Sequence, residues 1–125
     1  LEGLQYVKRA GVTREEHLQW FDAGEEIRET IVGIVAGMAY GSDGVDRGVP
    51  IVAFARKSDE ETKVSARGTG TLVRKGLDLS AVMGEASAAV GGKGGGDVAA
   101  GATIPAGSEE AFVAEADRIV GEQLG

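Results

Sequence analysis

Two stretches in the middle of the chain have the side-chain pattern of adjacent β-strands. Residues 51–55 are an almost unbroken apolar run of strand length, which is typical of a central strand buried on both faces. Residues 62–68 alternate between small apolar and polar side chains, which predicts a strand with one polar face. The polar face carries Lys63, Ser65 and Arg67. Because the polar residues 58–61 form a short turn between the two runs, we predict a hairpin.

Two further segments predict strands. Residues 98–104 have side chains so small that another element must pack closely against them, and Pro105 ends this strand. Residues 17–21 fit a short strand, which we favour over a helix that starts at the capping-box sequence of residues 13–16. The single histidine, His17, lies in this segment without an obvious partner, so we interpret it as structural.

A long helix is predicted between the first strand and the hairpin. It runs from the cap-like residues 22–25 to about Tyr40, and its apolar residues recur at helical spacing, which places them in the core. They are Ile27, Ile31, Ile34, Val35 and Met38. Gly33 and Gly37, four residues apart in this helix, are interpreted as positions of tight contact with the sheet.

Three more helices are predicted in the second half of the chain. Residues 69–75 form a short helix, and the next one is capped by Asp78 or Ser80 and continues to about Val90. Ser108 caps a final amphipathic helix. Its inward residues are Phe112, Ala116, Ile119 and Val120. The order of elements, roughly β-α-β-β-α-β-α, predicts an α/β fold with a mixed β-sheet and helices packed against it.

The composition is that of a single domain without cysteine chemistry. At 125 residues the chain has room for one domain-sized core. The absence of cysteine excludes a disulfide framework and any thiolate metal site or nucleophile. No apolar run reaches transmembrane length and no signal-peptide pattern is visible, so we expect a cytoplasmic domain.

Charge is unevenly distributed along the chain. The net charge is −7, yet residues 62–104 carry five basic and three acidic side chains and are the only net-basic segment. The acidic remainder has many small residues, few lysines and few aromatic residues, as a protein adapted to high salt has. We therefore keep a halophilic origin as a hypothesis.

The net-basic segment contains a glycine-rich stretch, because five of the six residues 91–96 are glycine. Successive N–H groups of such a loop can point into one concavity and bind an anion such as phosphate. A flexible linker is the alternative, but flanking helix and strand patterns favour a functional loop. A P-loop is excluded, since Ser87 stands where it needs glycine and Gly94 where it needs Ser or Thr. The Rossmann-like spacing from Gly94 to Ala99 is spurious, since it leads from a helix into a strand.

Polar side chains near this loop form a candidate phosphate-binding group. Arg67 ends its strand, and an arginine fork can hold a phosphate through two N–H bonds. Ser65 lies on the same face and offers a hydroxyl, while Lys93 lies within the glycine-rich stretch. Taken alone, Arg67 also fits a solvated charge at a strand end. Together, these groups are suited to hold a phosphate without cleaving it.

These motifs resemble the DHHA1 domain, the C-terminal substrate-binding half of the DHH phosphoesterases. The similarity rests on the sequence Lys63-Val64-Ser65-Ala66-Arg67-Gly68-Thr69, a following helix, Gly91-Gly92-x-Gly94-Gly95-Gly96, and Ala99-Ala100-Gly101. It covers about residues 17–104. The helix of residues 27–39 is similar in particular to the archaeal RecJ-like single-strand exonucleases.

The resemblance implies that this chain is half of an enzyme. Residues 1–16 are then a linker toward a missing DHH domain, which binds Mn²⁺ or Mg²⁺ and performs hydrolysis, and residues 17–125 are the substrate-binding domain. This chain itself has no expected catalytic residue or cofactor. The expected substrate- and phosphate-binding residues are Ser65, Arg67, Lys93, Gly94, Gly95, Gly96, Asp97, Ala100 and Gly101. The family has a phosphate-contacting histidine after the third glycine, whereas here Asp97 follows Gly96 directly.

Several functions follow from this reading. The first is a domain of a RecJ-like exonuclease that holds single-stranded DNA or RNA by its backbone, with the DHH domain of the same protein as partner. The second is the substrate domain of an oligonucleotide or nucleotide phosphoesterase. A third is a non-catalytic interaction domain with a vestigial glycine loop, which the absent histidine and the acidic composition favour. The related domain of alanyl-tRNA synthetases adds an RNA-handling role.

Overall fold

Six strands form one mixed sheet between two layers of helices, as a computed structural model describes for residues 2–95 and 100–125. The helices are α1 (Glu2–Ala10), α2 (Val32–Met38), α3 (Gly70–Arg74), α4 (Leu79–Ala89) and α5 (Glu109–Leu124), and a 3-10 turn (Ala39–Gly41) follows α2. The strands are β1 (Thr13–Arg14), β2 (Gln19–Asp22), β3 (Ile51–Arg56), β4 (Glu61–Arg67), β5 (Lys93–Gly95) and β6 (Gly101–Pro105). The predicted α/β class with a mixed sheet is confirmed.

The strands lie in the order β1-β2-β3-β4-β6-β5. Strands β2 and β3 are parallel, and every other neighbouring pair is antiparallel. The predicted hairpin is confirmed, because Ile51 at the start of β3 pairs with Arg67 at the end of β4. Residues 51–55 are all buried, as expected for a central strand covered on both faces.

The sheet has a separate apolar core on each face. On one face, α3, α4 and α5 pack around Phe54, whose ring makes edge contacts with Trp20 at 5.8 Å and with Phe112 at 5.9 Å between centroids. The predicted inward residues of α5 are all buried there. On the other face, α1 and α2 cover small side chains such as Ala53 and Ala55. Because these side chains are small, α2 lies close to the strands.

Helix α2 is shorter than the sequence pattern predicted. It begins at Val32, and the cap-like residues 22–25 form a turn in which the Asp22 carboxylate accepts from the Gly24 N–H at 2.9 Å. The prediction that Ile34 and Met38 are core residues is wrong, since they are 59% and 46% exposed. A seven-residue helix buries one face only, and Val32, Val35 and Ala36 already occupy it.

The N-terminal region contains structure that the sequence pattern did not reveal. Residues 2–10 form α1, whose Val7 is buried in the second core. Residues 13–14 form β1, so the capping-box alternative is not adopted, and the favoured strand over 17–21 is confirmed with bounds Gln19–Asp22. The residue-range division into a linker and a domain stays a prediction.

The glycine-rich stretch is not a loop throughout, which corrects the prediction. Lys93–Gly95 form β5, an edge strand that pairs with β6. The reason is close packing against α4: a Cβ on Gly94 would lie 2.6 Å from the Met83 carbonyl and 2.8 Å from the Ala102 Cβ. The strand predicted over 98–104 is observed as Gly101–Pro105, and its first residues lie outside the described ranges.

Of the two caps predicted in the second half of the chain, the one at Asp78 is confirmed and the one at Ser108 is not, while Thr69 caps α3 without having been predicted to. The Thr69 hydroxyl accepts from the Leu72 N–H at 3.2 Å, and the Asp78 carboxylate accepts from the Ala81 N–H at 3.1 Å. Ser108 precedes α5, but its hydroxyl donates to the Pro105 carbonyl at 2.6 Å instead of capping. Within residues 2–95 and 100–125, no helix has the length and apolar character that crossing a membrane requires.

Candidate phosphate-binding site

Strand β4 presents a polar row on the sheet face that α2 covers in part. Its apolar positions, Val64 and Ala66, are buried in the core with α4 and α5. Lys63, Ser65 and Arg67 therefore point to the opposite face, as the alternation predicted. The two cations are half-buried and Ser65 is buried. The strand thus aligns two cationic groups and one hydroxyl along a single line.

Helix α2 lies directly against this row through two glycines. A Cβ on Gly33 would lie 2.5 Å from Arg67 Nη2 and 3.2 Å from Ser65 Oγ. At Gly37, one turn further along, the nearest atom is Arg67 Cγ at 3.8 Å. The interpretation as a point of tight contact with the sheet is confirmed for Gly33 and is wrong for Gly37, which is exposed and makes only an ordinary van der Waals contact. Gly33 leaves the space that the Arg67 guanidinium occupies.

The polar row opens into a cavity of about 310 Å³ between α2, β4 and the start of β6. Its lining residues are Glu29, Thr30, Gly33, Ile34, Lys63, Ser65, Arg67, Ala100 and Gly101. Gly101 pairs with Ser65 across the sheet, and a Cβ on Gly101 would lie 3.6 Å from Lys63 Nζ. The absence of a side chain at Gly101 therefore keeps this end of the cavity open next to the lysine.

The cations of the cavity are not neutralised by ion pairs within the described part of the chain. No carboxylate among those residues lies within 4.0 Å of the charged groups of Lys63 or Arg67. Arg67 Nη1 donates to the carbonyl of Ala66 at 2.8 Å, which leaves other N–H groups of the fork for a ligand. Glu29 is the single carboxylate among the lining residues that the structure describes. The arrangement favours an anion.

Tyr40 holds the end of β4 where Arg67 lies. Its hydroxyl donates to the Val49 carbonyl at 2.7 Å and lies 3.3 Å from the Arg67 carbonyl. Burial raises the pKa of Tyr40 to about 12, against the opposing effect of the Arg47 charge. The Arg47 guanidinium lies 5.6 Å from the centre of the Tyr40 ring. Tyr40 is therefore neutral at physiological pH and acts as a hydrogen-bond donor.

The structure brings together four of the residues that the sequence singled out. Ser65, Arg67, Ala100 and Gly101 line the same cavity. Gly94 and Gly95 lie on β5, where they pair with Ala102 and Gly101. Gly96 and Asp97 lie outside the described residues. The contact of the glycine-rich stretch with phosphate stays a prediction.

Lys93 lies on the same sheet face but away from the cavity. The strand register places Lys93 opposite Thr103, which in turn pairs with Lys63. Two strand spacings of about 4.8 Å put the Cα atoms of the two lysines roughly 10 Å apart. Lys93 lines a separate depression with Glu60 and Glu61. Lys93 and Arg67 therefore line two different depressions.

Sequence reasoning missed several lining residues. Lys63 could have been found, because it lies two residues before Ser65 on the same face of a strand. Glu29, Thr30 and Ile34 reach the cavity from the region of α2, so only the packing of α2 on β4 reveals them.

The described residues do not fit a metal centre. Among them, no group of three or more His, Cys, Asp or Glu side chains converges to hold an ion. The backbone N–H of His17 donates to the Asp117 carboxylate at 2.7 Å. The His17 ring packs on α5, where a Cβ on Gly121 would lie 2.6 Å from its Nε2 atom. The structural interpretation of His17 is confirmed. The chemistry that the cavity offers is binding of an anion.

A known family of domains matches most of the length of the chain. The family model of the DHHA1 domain matches residues 12–122. The chain belongs to the DHHA1 domain family. An uncharacterized protein of Methanocaldococcus jannaschii is 34% identical over 99 residues. That alignment covers 79% of this chain and 21% of the relative, so this DHHA1 domain corresponds to a small part of a longer protein.

Solved structures confirm the fold. The C-Ala domain from Aquifex aeolicus alanyl-tRNA synthetase is similar with a TM-score of 0.63 at 14% identity, over 91% of this chain and 98% of that domain. A structure described as the DHH domain of a member of the s1p family of ribosomal proteins gives a TM-score of 0.58 at 14% identity. It matches 99% of this chain and 31% of that one. At such identity the likeness is one of fold.

Proposed function

We propose that this DHHA1 domain holds single-stranded nucleic acid by its phosphate backbone, as the substrate-binding half of a RecJ-like single-strand exonuclease. The observation that carries the proposal is the cavity in which Ser65 and Arg67 meet beside Lys63. An arginine fork and a hydroxyl are the groups that recognise a phosphate through directed hydrogen bonds. No base-specific group is needed for this mode of binding, since backbone contacts carry no sequence information.

The geometry of β4 supports a ligand that extends along the strand. Alternate residues lie about 6.6 Å apart in a strand, so the Cα atoms of Lys63 and Arg67 are roughly 13 Å apart. These Cα positions anchor two cationic side chains on either side of the Ser65 hydroxyl, along a line that suits a backbone with more than one phosphate. The net-basic character of residues 62–104 favours the same ligand within an otherwise acidic chain.

Hydrolysis is assigned in this proposal to a DHH domain of the same protein, which binds Mn²⁺ or Mg²⁺. The relative from Methanocaldococcus jannaschii is several times longer than the aligned region, which is consistent with further domains. The residues described here bind and orient the strand. The metal ions, when bound in the partner domain, activate the attacking water.

A second candidate is the substrate domain of a phosphoesterase that acts on nucleotides or short oligonucleotides. The volume of the cavity, about 310 Å³, favours it, because pockets for small ligands begin at roughly 300 Å³. The two candidates differ in how affinity depends on length. A backbone-binding domain gains affinity from one to several nucleotides, whereas a nucleotide site is saturated by one.

The replacement Arg67→Ala tests the proposed site directly. Loss of a charge-assisted hydrogen bond to phosphate costs about 1.5–3 kcal/mol, so we expect affinity for a 5′-phosphorylated single-stranded oligonucleotide to fall at least tenfold. Arg74→Ala is the matched control, because Arg74 is an exposed arginine on α3 that bonds only to Thr71 among the described residues. Fluorescence anisotropy at fixed salt measures both variants.

An unchanged affinity of Arg67→Ala would remove Arg67 from the site. Equal losses in both variants would show a non-specific effect of net charge. Failure of the unaltered chain to bind any strand would favour an interaction domain without substrate contact.

A further inference from the structure

The outward side of α2 carries apolar side chains that the fold does not bury. Ile34 is 59% exposed and Met38, one turn further along, is 46% exposed. The two residues are four apart in the helix, so their side chains are neighbours on its surface. We name these two residues the α2 ledge.

The α2 ledge is continuous with the candidate phosphate-binding site. Ile34 lines the same cavity as Ser65 and Arg67. Gly37, the residue before Met38, is close to Arg67, whose Cγ would lie 3.8 Å from a Cβ at that position. A ligand can therefore place its phosphate at the Arg67 guanidinium and a neighbouring flat, apolar group over the α2 ledge.

We propose that the α2 ledge packs against the sugar and base of the nucleotide whose phosphate contacts Arg67. This inference rests on the proposed function and adds to it a subsite for the nucleoside part. A nucleobase has a broad apolar face, and contact with that face tolerates any base, as a sequence-independent nuclease domain requires. Exposure of single apolar side chains is common on protein surfaces. Here, however, Ile34 lines the cationic cavity itself and Met38 is its neighbour one helical turn along, so the apolar part of a ligand would meet both beside the bound phosphate.

The test compares two strands that share the same backbone charge. One is a short 5′-phosphorylated oligothymidylate, and the other has the same length and phosphates but abasic sugar analogues. Ile34 and Met38 are aliphatic, so the expected gain comes from burial of apolar surface and not from aromatic stacking. The unaltered chain is expected to bind the base-containing strand about fivefold more tightly than the abasic strand. The double replacement of Ile34→Ser with Met38→Ser is expected to reduce this preference to less than about twofold.

The matched control is Val73→Ser. Val73 is 59% exposed, as Ile34 is, but it lies on α3 and is not among the residues that line the cavity. We expect the control to keep the full preference for the base-containing strand. Because all three positions are exposed, thermal unfolding should confirm that each variant is folded.

Three results would overturn the inference. The first is equal binding of the two strands by the unaltered chain. The second is a double variant that keeps its preference for the base-containing strand, which would indicate that the ledge contacts a protein partner and not the base. The third is an equal loss for both strands, which would assign the ledge to the backbone. The variant Arg67→Ala separates the inference about the ledge from the proposed function, since it should weaken the binding of both strands alike. If the unaltered chain bound neither strand, both proposals would be refuted.

Discussion

At the scale of single residues, the proposed site depends on the space around the Arg67 guanidinium. Arg67 lies under a helix, yet the described residues give it no carboxylate partner. Its neighbour in that helix is Gly33, which is buried and has no side chain to displace it. A buried glycine inside a helix lowers helix stability by up to about 1 kcal/mol relative to alanine. The loss of helix stability is explained by the Arg67 guanidinium, which occupies the space that Gly33 leaves.

Gly33→Ala should therefore separate binding from stability. The added methyl group would lie 2.5 Å from Arg67 Nη2, and a flexible side chain can move away from it. We expect the free energy of unfolding to change by less than about 1 kcal/mol, because the gain in helix propensity offsets the displacement. Affinity for a phosphorylated oligonucleotide should fall about tenfold, the scale of one charge-assisted hydrogen bond. Urea unfolding and anisotropy measure the two effects.

Gly37→Ala is the control for this prediction. Its methyl group would meet Arg67 Cγ at 3.8 Å, which is an ordinary van der Waals contact. This variant should keep its affinity for phosphate. If both glycine variants bound as tightly as the unaltered chain, the guanidinium would not need the space that Gly33 leaves.

At the scale of elements, the glycine-rich stretch is explained in part by packing. Gly94 on β5 is in close contact with α4 and with β6, so a larger residue does not fit there. Gly92, just before β5, would place a Cβ against the carbonyl of Thr103. Close approach of backbones is one of the uses of glycine in strands. These glycines are therefore needed for the fold whether or not the neighbouring residues 96–99 contact a ligand.

Gly94→Ala is expected to destabilise the domain. The methyl group would lie 2.6 Å from a backbone carbonyl, that of Met83, which cannot move without shifting α4. Overpacking of this kind costs about 1–3 kcal/mol, and chemical denaturation measures it.

Gly84→Ala provides the comparison for Gly94→Ala. Gly84 lies within α4, and the nearest atom to its added methyl group would be the Gly94 carbonyl oxygen at 3.9 Å. This variant should gain up to about 1 kcal/mol from helix propensity. Equal stability of the two alanine variants would contradict the packing explanation.

Elements with a clear period could be predicted from the sequence, whereas α1, β1 and β5 could not. The alternation in β4 and the helical spacing in α5 each correctly identified the buried face. In α2 the apolar pattern continues over positions that the fold leaves exposed, because Ile34 and Met38 face away from the sheet. Strand β5 was missed because its glycines have no side chains and therefore no pattern.

The candidate site could be predicted only where one strand supplies it. Ser65 and Arg67 are two residues apart on β4, so their common face follows from the sequence. Glu29 and Ile34 join them because α2 packs across β4, a contact between distant parts of the chain. Local periodicity contains no information about such contacts.

At the scale of the whole molecule, a net charge of −7 opposes the binding of nucleic acid. The uneven distribution of charge resolves this conflict, because the net-basic segment supplies β4 and Gly101 to the cavity while acidic residues dominate elsewhere. Long-range repulsion is screened at moderate salt, whose Debye length is about 10 Å or less. Local phosphate contacts then determine where a strand binds.

The most direct test of this account is an NMR titration of the 125-residue chain with a short single-stranded oligonucleotide that carries a 5′-phosphate. Spectra in molar salt allow for a domain that folds only at high salt. Spectra in moderate salt are needed as well, because contacts with the phosphate backbone weaken as the salt concentration rises. The account predicts that chemical-shift changes concentrate at Gly33, Ser65, Arg67 and Gly101. The absence of changes in both salts, or changes centred on the separate acidic depression lined by Glu15, Glu110 and Asp117, would contradict it.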